Sequence, residues 1–146
     1  MVEDGAMKNR TSLGILAAAC LVTAACAANV LSLETGTCFD DPESFEEVTD
    51  VPVVDCSEPH DNEVIGSFDL PSGGYPGDAV VTSQAETGCL VRFEPYVGID
   101  FPSSTYDLGW FTPSSESWDA GDREVICFVY DVTLAKITGS VAGSAA

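Results

Sequence analysis

A small α+β domain, with one helix packed across a largely antiparallel sheet and two disulfides, is the fold class that three features of the sequence predict. One is a helical stretch from Asp78 to about Glu94, in which Val81, Ala85, Cys89 and Phe93 recur at four-residue steps. Another is the run Glu124 to Tyr130, apolar on both alternating sets, as in a strand buried on both sides at the centre of a sheet. The third is a set of four cysteines, Cys38, Cys56, Cys89 and Cys127, that follows an export-type amino terminus. A length of 146 residues suits one such domain.

The elements follow in order. Leu31 and Leu33 alternate, and Gly36-Thr37-Cys38-Phe39 then reads as a turn into a first strand. Asp40 to Asp50 holds Asp40, Asp41, Glu43, Glu46, Glu47 and Asp50 around Pro42, a solvated acidic loop. Val51 to Cys56 is a short strand, with Pro52 near its start where a missing N–H is tolerated. Glu63 to Leu70 is a second strand, and the turn chemistry between them predicts a hairpin. Ser72 to Gly77 breaks the chain; Asp78 then serves as N-cap of the helix, and Pro95 stops it. Tyr106, Leu108 and Trp110 alternate as a strand, Pro113 to Gly121 is a loop holding Trp118, and Asp131 to Gly139 is a last short strand or turn.

The amino terminus sets the compartment. Lys8 and Arg10 precede an uncharged stretch from Thr11 to Leu33, rich in alanine and ended by Glu34. A basic flank, an apolar middle and small residues form the pattern of a secretory signal, so residues 1–30 are read as targeting segment and 31–146 as exported domain. The stretch also reaches the ~20 residues that span a bilayer, so an uncleaved anchor is the alternative. Val22-Thr23-Ala24-Ala25-Cys26 resembles a lipobox, with Cys26 as the residue that would carry the lipid. Two acyl chains suffice for stable attachment. The expected location is extracytoplasmic and membrane-attached, with free secretion second.

With Cys20 and Cys26 assigned to the signal, four exported cysteines remain, and four allow three pairings. Sequential pairing, Cys38–Cys56 and Cys89–Cys127, is favoured. Cys89 on the inner helix face and Cys127 beside Val125 and Val129 are placed to meet. No C-x-x-C occurs, which argues against a zinc ribbon or a thioredoxin-type site. No cofactor or metal is expected.

Charge narrows the partners. Twenty-four acidic residues against five basic ones give a net charge of −19, which excludes nucleic acid, since phosphate binding needs a basic footprint. His60 is the only histidine and lies among Cys56, Ser57, Glu58, Asp61 and Glu63. A hydrolase or metal centre at Ser57–His60 is the enzyme alternative, but Ser57 sits in no G-x-S-x-G elbow and a lone His is short of a zinc set. Asp40–Asp50 lacks the D-x-D-x-D-G spacing of an EF-type calcium loop, which leaves an acidic cation or ligand binder as the third alternative. Arg123 is expected to pair with a neighbouring carboxylate. His60, Trp118 and Tyr75 are the candidates for a binding surface.

Together these landmarks resemble the septum formation domain family of exported actinobacterial proteins. The matching residues are Gly36-Thr37-Cys38-Phe39, Val51-Pro52, Cys56-Ser57-Glu58-Pro59-His60-Asp61 with Glu63-Val64, and Tyr75-Pro76-Gly77. They continue through Cys89, Tyr96-Val97-Gly98, Pro113, Trp118, Gly121-Asp122-Arg123, Cys127 and Gly139-Ser140. The resemblance implies a part in cell division and no catalytic residue. The expected function is a membrane-tethered, non-catalytic interaction domain of the cell envelope, with an envelope or divisome protein as partner.

Overall fold

The computed structural model describes residues 26–44 and 48–146. The expected targeting segment before Cys26 lies outside the described residues, as does the side chain of Cys26, whose backbone opens the first strand. The strands are β1 (Cys26–Asn29), β2 (Cys38–Phe39), β3 (Asp50–Val54), β4 (Asn62–Asp69), β5 (Tyr106–Phe111) and β6 (Glu124–Asp131). The helices are α1 (Asp78–Val97) and the short α2 (Ser115–Asp119). All the strands join one antiparallel sheet in the order β1-β3-β2-β4-β6-β5. This is the expected α+β architecture.

One face of the sheet takes α1. Val81, Ala85, Cys89, Phe93 and Val97 are all buried, and they pack on Val125, Cys127 and Val129 of β6 and Ile65 of β4. On the other face Ile126 and Phe128 join Phe39, Val51 and Val64, closed over by Val30 and Leu33. Strand β6 is therefore sandwiched, which its double apolar pattern predicts. Each large apolar side chain so buried contributes about 1.5–3 kcal/mol. Two glycines permit the closest approaches: a Cβ on Gly88 of α1 would meet the Phe68 ring at 2.0 Å, and one on Gly109 of β5 would meet Phe128 at 2.2 Å. Both disulfides form as expected, Cys38–Cys56 and Cys89–Cys127, the second bolting α1 to β6.

Several local expectations change. The loop expected over Pro113–Gly121 contains α2, and β6, expected at the centre of the sheet, lies one strand in from its edge. The predicted hairpin does not form: β2 lies between β3 and β4, Cys38 pairing with Val54 on one side and Glu63 on the other. The Cys38–Cys56 bond fastens β2 beside the end of β3 and so occupies the slot β4 would take. Val30–Ser32 is a single 3₁₀ turn that leaves Leu31 exposed, because the Asn29 side chain caps the Leu31 N–H at 2.9 Å. Helix α1 passes Pro95 and ends at Val97. In the last turn Pro95 forfeits a single N–H, burial of Val97 compensates, and Gly98 at φ 90° supplies the left-handed cap. The N-cap is Gly77 instead of Asp78; Asp78 is the first helical residue and accepts a hydrogen bond from the Tyr75 hydroxyl. Asp131 to Gly139 forms turns with one isolated bridge, His60 to Ile137.

Two outcomes are expected on this basis. Opening the 38-residue Cys89–Cys127 separation by replacing both cysteines with alanine lowers stability by about 4 kcal/mol, and opening the 18-residue Cys38–Cys56 separation by about 3. Urea unfolding checks both. Gly88→Ala, which forces a methyl into the Phe68 ring, costs about 1–3 kcal/mol despite the better helix propensity of alanine.

Candidate functional site

The histidine motif folds inward. His60 and Glu63 are wholly buried, beneath the Cys38–Cys56 disulfide. The main chain of His60 exchanges two hydrogen bonds with Ile137, at 2.9 and 2.8 Å. Its Nδ1 lies 2.8 Å from the carbonyl of Glu58, and since a carbonyl only accepts, the proton is on Nδ1. Nε2 is buried and without a hydrogen-bond partner among the described residues. The Ser57 hydroxyl turns away and donates to Asp55 at 2.7 Å, so no Ser57–His60 pair exists. The Ser57 N–H, then its hydroxyl, hold the Asp55 carboxyl below its ordinary range.

Glu63 gathers donors from distant parts of the chain. One carboxylate oxygen accepts from the Tyr96 hydroxyl of α1 at 2.7 Å and from the Ser140 hydroxyl at 2.6 Å; the other accepts from the Val141 N–H at 2.7 Å. Burial first, then the Glu63 carboxylate, push the Tyr96 hydroxyl well above its ordinary range, so it remains a donor at any physiological pH. Cys38, His60 and Glu63 bring ligand-type atoms within 4.8 Å of one another. The sulfur of Cys38 is already bonded to Cys56, however, and both carboxylate oxygens already accept hydrogen bonds, so His60 Nε2 is the one ligand-type atom of the set left uncommitted. What the motif does chemically is hold the carboxyl-terminal segment against α1 and β4.

The opening of the acidic loop is likewise spent on an internal contact. Lys136 places its ammonium 2.7 Å from Asp40 and 2.9 Å from Asp61, while Asp61 accepts from the Asp41 N–H and Asp41 from the Asn62 amide. Burial alone would raise Asp61, but the Asp41 N–H and the Lys136 ammonium outweigh it and leave the carboxyl lowered. Lys136 is raised, first by its hydrogen bond to Asp40. Residues 45–47 of this loop lie outside the described residues.

One open site among the described residues is a cleft of about 440 Å³ between the Val30–Leu31 turn and the end of β5. Tyr75, Trp110 and Phe111 give it aromatic walls, and Asp78, Asp122 and Glu124 line it with acid. Below it, Trp118 is buried instead of looped out: its indole N–H donates to the Gly73 carbonyl at 2.8 Å and its ring meets Tyr75 edge-on at 5.5 Å. The expected Arg123–carboxylate pair is replaced by stacking on Trp118, 3.7 Å above the ring, and by donation to the carbonyls of Trp118 and Asp122. A capping box between Ser114 and Ser117 starts α2, and Asp122 accepts from the Ser117 hydroxyl and the Glu124 N–H. Of the three residues expected at a surface, Tyr75 lines the cleft, Trp118 supports it from beneath, and His60 is elsewhere in the interior. Sequence reasoning did not find Trp110, Phe111 and Glu124 as one site, because they meet only through sheet pairing.

With the geometry in view, the class is a disulfide-stabilised α+β domain whose histidine motif is buried in hydrogen bonds of the fold and which carries a cleft lined by acidic and aromatic side chains. The chain belongs to the septum formation family: the family model described as "Septum formation" matches residues 17–127. This is not a known enzyme family, and its description ties the chain to cell division. No curated protein and no solved structure matches the chain.

Glu63→Ala is expected to cost 3 kcal/mol or more, since it strands the Val141 N–H and the Tyr96 hydroxyl in the interior at about 1–3 kcal/mol each; thermal melting checks it. The Lys136 cluster has a pH signature. Because Asp61 is depressed, its contribution is present above the ordinary carboxylate range near ~4 and lost as pH falls through the lower folded value; because Lys136 is raised, its contribution is present below about 10.4 and lost above it. Lys136→Ala therefore raises the Asp61 titration midpoint, read by carboxyl NMR.

Proposed function

We propose that the domain acts outside the cytoplasm, held at the membrane by its amino-terminal segment through a lipid on Cys26 or an uncleaved anchor, as a non-catalytic interaction domain in septum formation. One observation carries this reading. The residues that resemble a catalytic signature are consumed by the fold, His60 on a backbone bridge and Glu63 on three donors, while the accessible cleft presents aromatic and acidic side chains suited to contact. Two disulfides support an oxidising compartment. Membership of the septum formation family supports the process. No helix of the described residues is long and apolar enough to cross a membrane, so attachment in this reading rests on the amino-terminal segment, through a lipid on Cys26 or the stretch before it.

The experiment is imaging of the full chain, fused after Ala146 through a flexible linker to a protein that fluoresces outside the cytoplasm. Enrichment at midcell that follows constriction is the expected result. Even labelling of the envelope through the division cycle overturns the septal role, and labelling confined to the cytoplasm overturns export.

A further inference from the structure

Strand β5 is an edge of the sheet, so half of its main-chain groups face away from β6. The Val132 N–H donates to the Thr105 carbonyl, so Asp107, Gly109 and Phe111 share the phase that turns toward β6, while Tyr106, Leu108 and Trp110 turn outward. Two of these outward N–H groups are blocked by side chains. Tyr106 donates to the Ser104 hydroxyl at 3.0 Å, and Leu108 donates to the Asp107 carboxylate at 2.8 Å. No side chain among the described residues caps Trp110, and Trp110 is where β5 borders the acidic cleft. The edge is closed along its first part and open at one end.

That end has a definite chemistry. Asp78, Asp122 and Glu124 line the cleft, and no Lys or Arg among the described residues does. Arg123, the nearest cation in sequence, is committed below to the Trp118 ring and to main-chain carbonyls. Trp110, Phe111 and Tyr75 add ring faces that attract cationic heads and cover aliphatic stems. We infer that the cleft takes an extended, lysine- or arginine-bearing segment of a partner protein, which adds as a strand to β5 at Trp110 and sets its basic side chains against Asp78 and Glu124. Main-chain pairing at a sheet edge supplies affinity and alternate side chains supply specificity. Charge complementarity fixes the sign of the occupant, since a chain of net charge −19 repels an acidic one. The inference deepens the interaction role proposed above and rests on it.

The test uses the full chain in mild detergent and a fluorescein-labelled octapeptide of alternating lysine and valine, read by anisotropy. Three comparisons accompany it: the same peptide N-methylated along one edge, a peptide with glutamate for lysine, and the D78K/E124K chain. Saturable binding is expected, weakened at least tenfold by N-methylation and by the double reversal, and absent for the acidic peptide. Equal binding of the N-methylated peptide overturns strand addition, since it reduces the effect to attraction by a strongly acidic chain. Failure of the lysine–valine peptide to bind overturns the inference, as does light scattering that shows two chains paired through this edge. Asp78 and Glu124 are not core residues, so D78K/E124K reports on the cleft; circular dichroism confirms its fold. If the peptide fails while the tagged chain still gathers at midcell, the basic-segment inference falls and the septal reading stands.

Discussion

A carboxylate buried beneath a disulfide is the constraint on which the rest of the molecule depends. Glu63 belongs to the strand next to the centre of the sheet, and an unpaired charge there would cost several kcal/mol. The cost is offset only if donors come to it. They arrive from the last turn of α1, as Tyr96, and from the carboxyl-terminal segment, as Ser140 and Val141. Those contacts explain why α1 continues past Pro95 and why the chain after β6 follows a defined course without a strand of its own. The Gly143 N–H on the Tyr96 carbonyl and the Ala145 N–H on the Val97 carbonyl extend the same seam to the end of the chain.

This constraint also separates what was legible in the sequence from what was not. Helix α1 and strand β6 carry strong periodic signals, four-residue steps in one and a doubly apolar run in the other, and their positions and mutual disulfide follow from them. Strand β2 carries no such signal, since two residues make no pattern, and its insertion between β3 and β4 is decided by a covalent bond between distant cysteines. Trp118 was misplaced for a related reason. Its neighbours are polar in sequence, but Gly73 and Arg123 bury it from two sides. The function-like cluster around His60 is the clearest divergence. Catalytic residue types in close sequence proximity are equally the types that satisfy a buried polar junction, and only the direction of each side chain separates the two uses.

The division of labour between the two ends of the domain follows. At the Glu63 end the carboxylate and its donors are enclosed and paired with one another. At the cleft, Asp78, Asp122 and Glu124 stand partly or fully exposed around aromatic rings, over a foundation of Trp118 and Arg123 that fixes their positions. A surface for recognition gains when its support is stiff, because less side-chain freedom is lost on contact. Family membership points to a process, cell division.

The strand order has a consequence for how the protein comes into being. The position between β4 and the edge strand β5 is filled by β6, the last strand in the chain, and a main partner of α1 is therefore missing until residue 131 is in place. Everything before it is a half-sheet with an open slot: Ile65, Phe93 and Val97 have no floor, and Cys89 has no sulfur to meet. The Cys38–Cys56 ring is local and closes early, whereas the Cys89–Cys127 bond is necessarily a late event, and contacts of such long sequence separation form slowly. A chain built this way completes its core only when nearly its whole length is available.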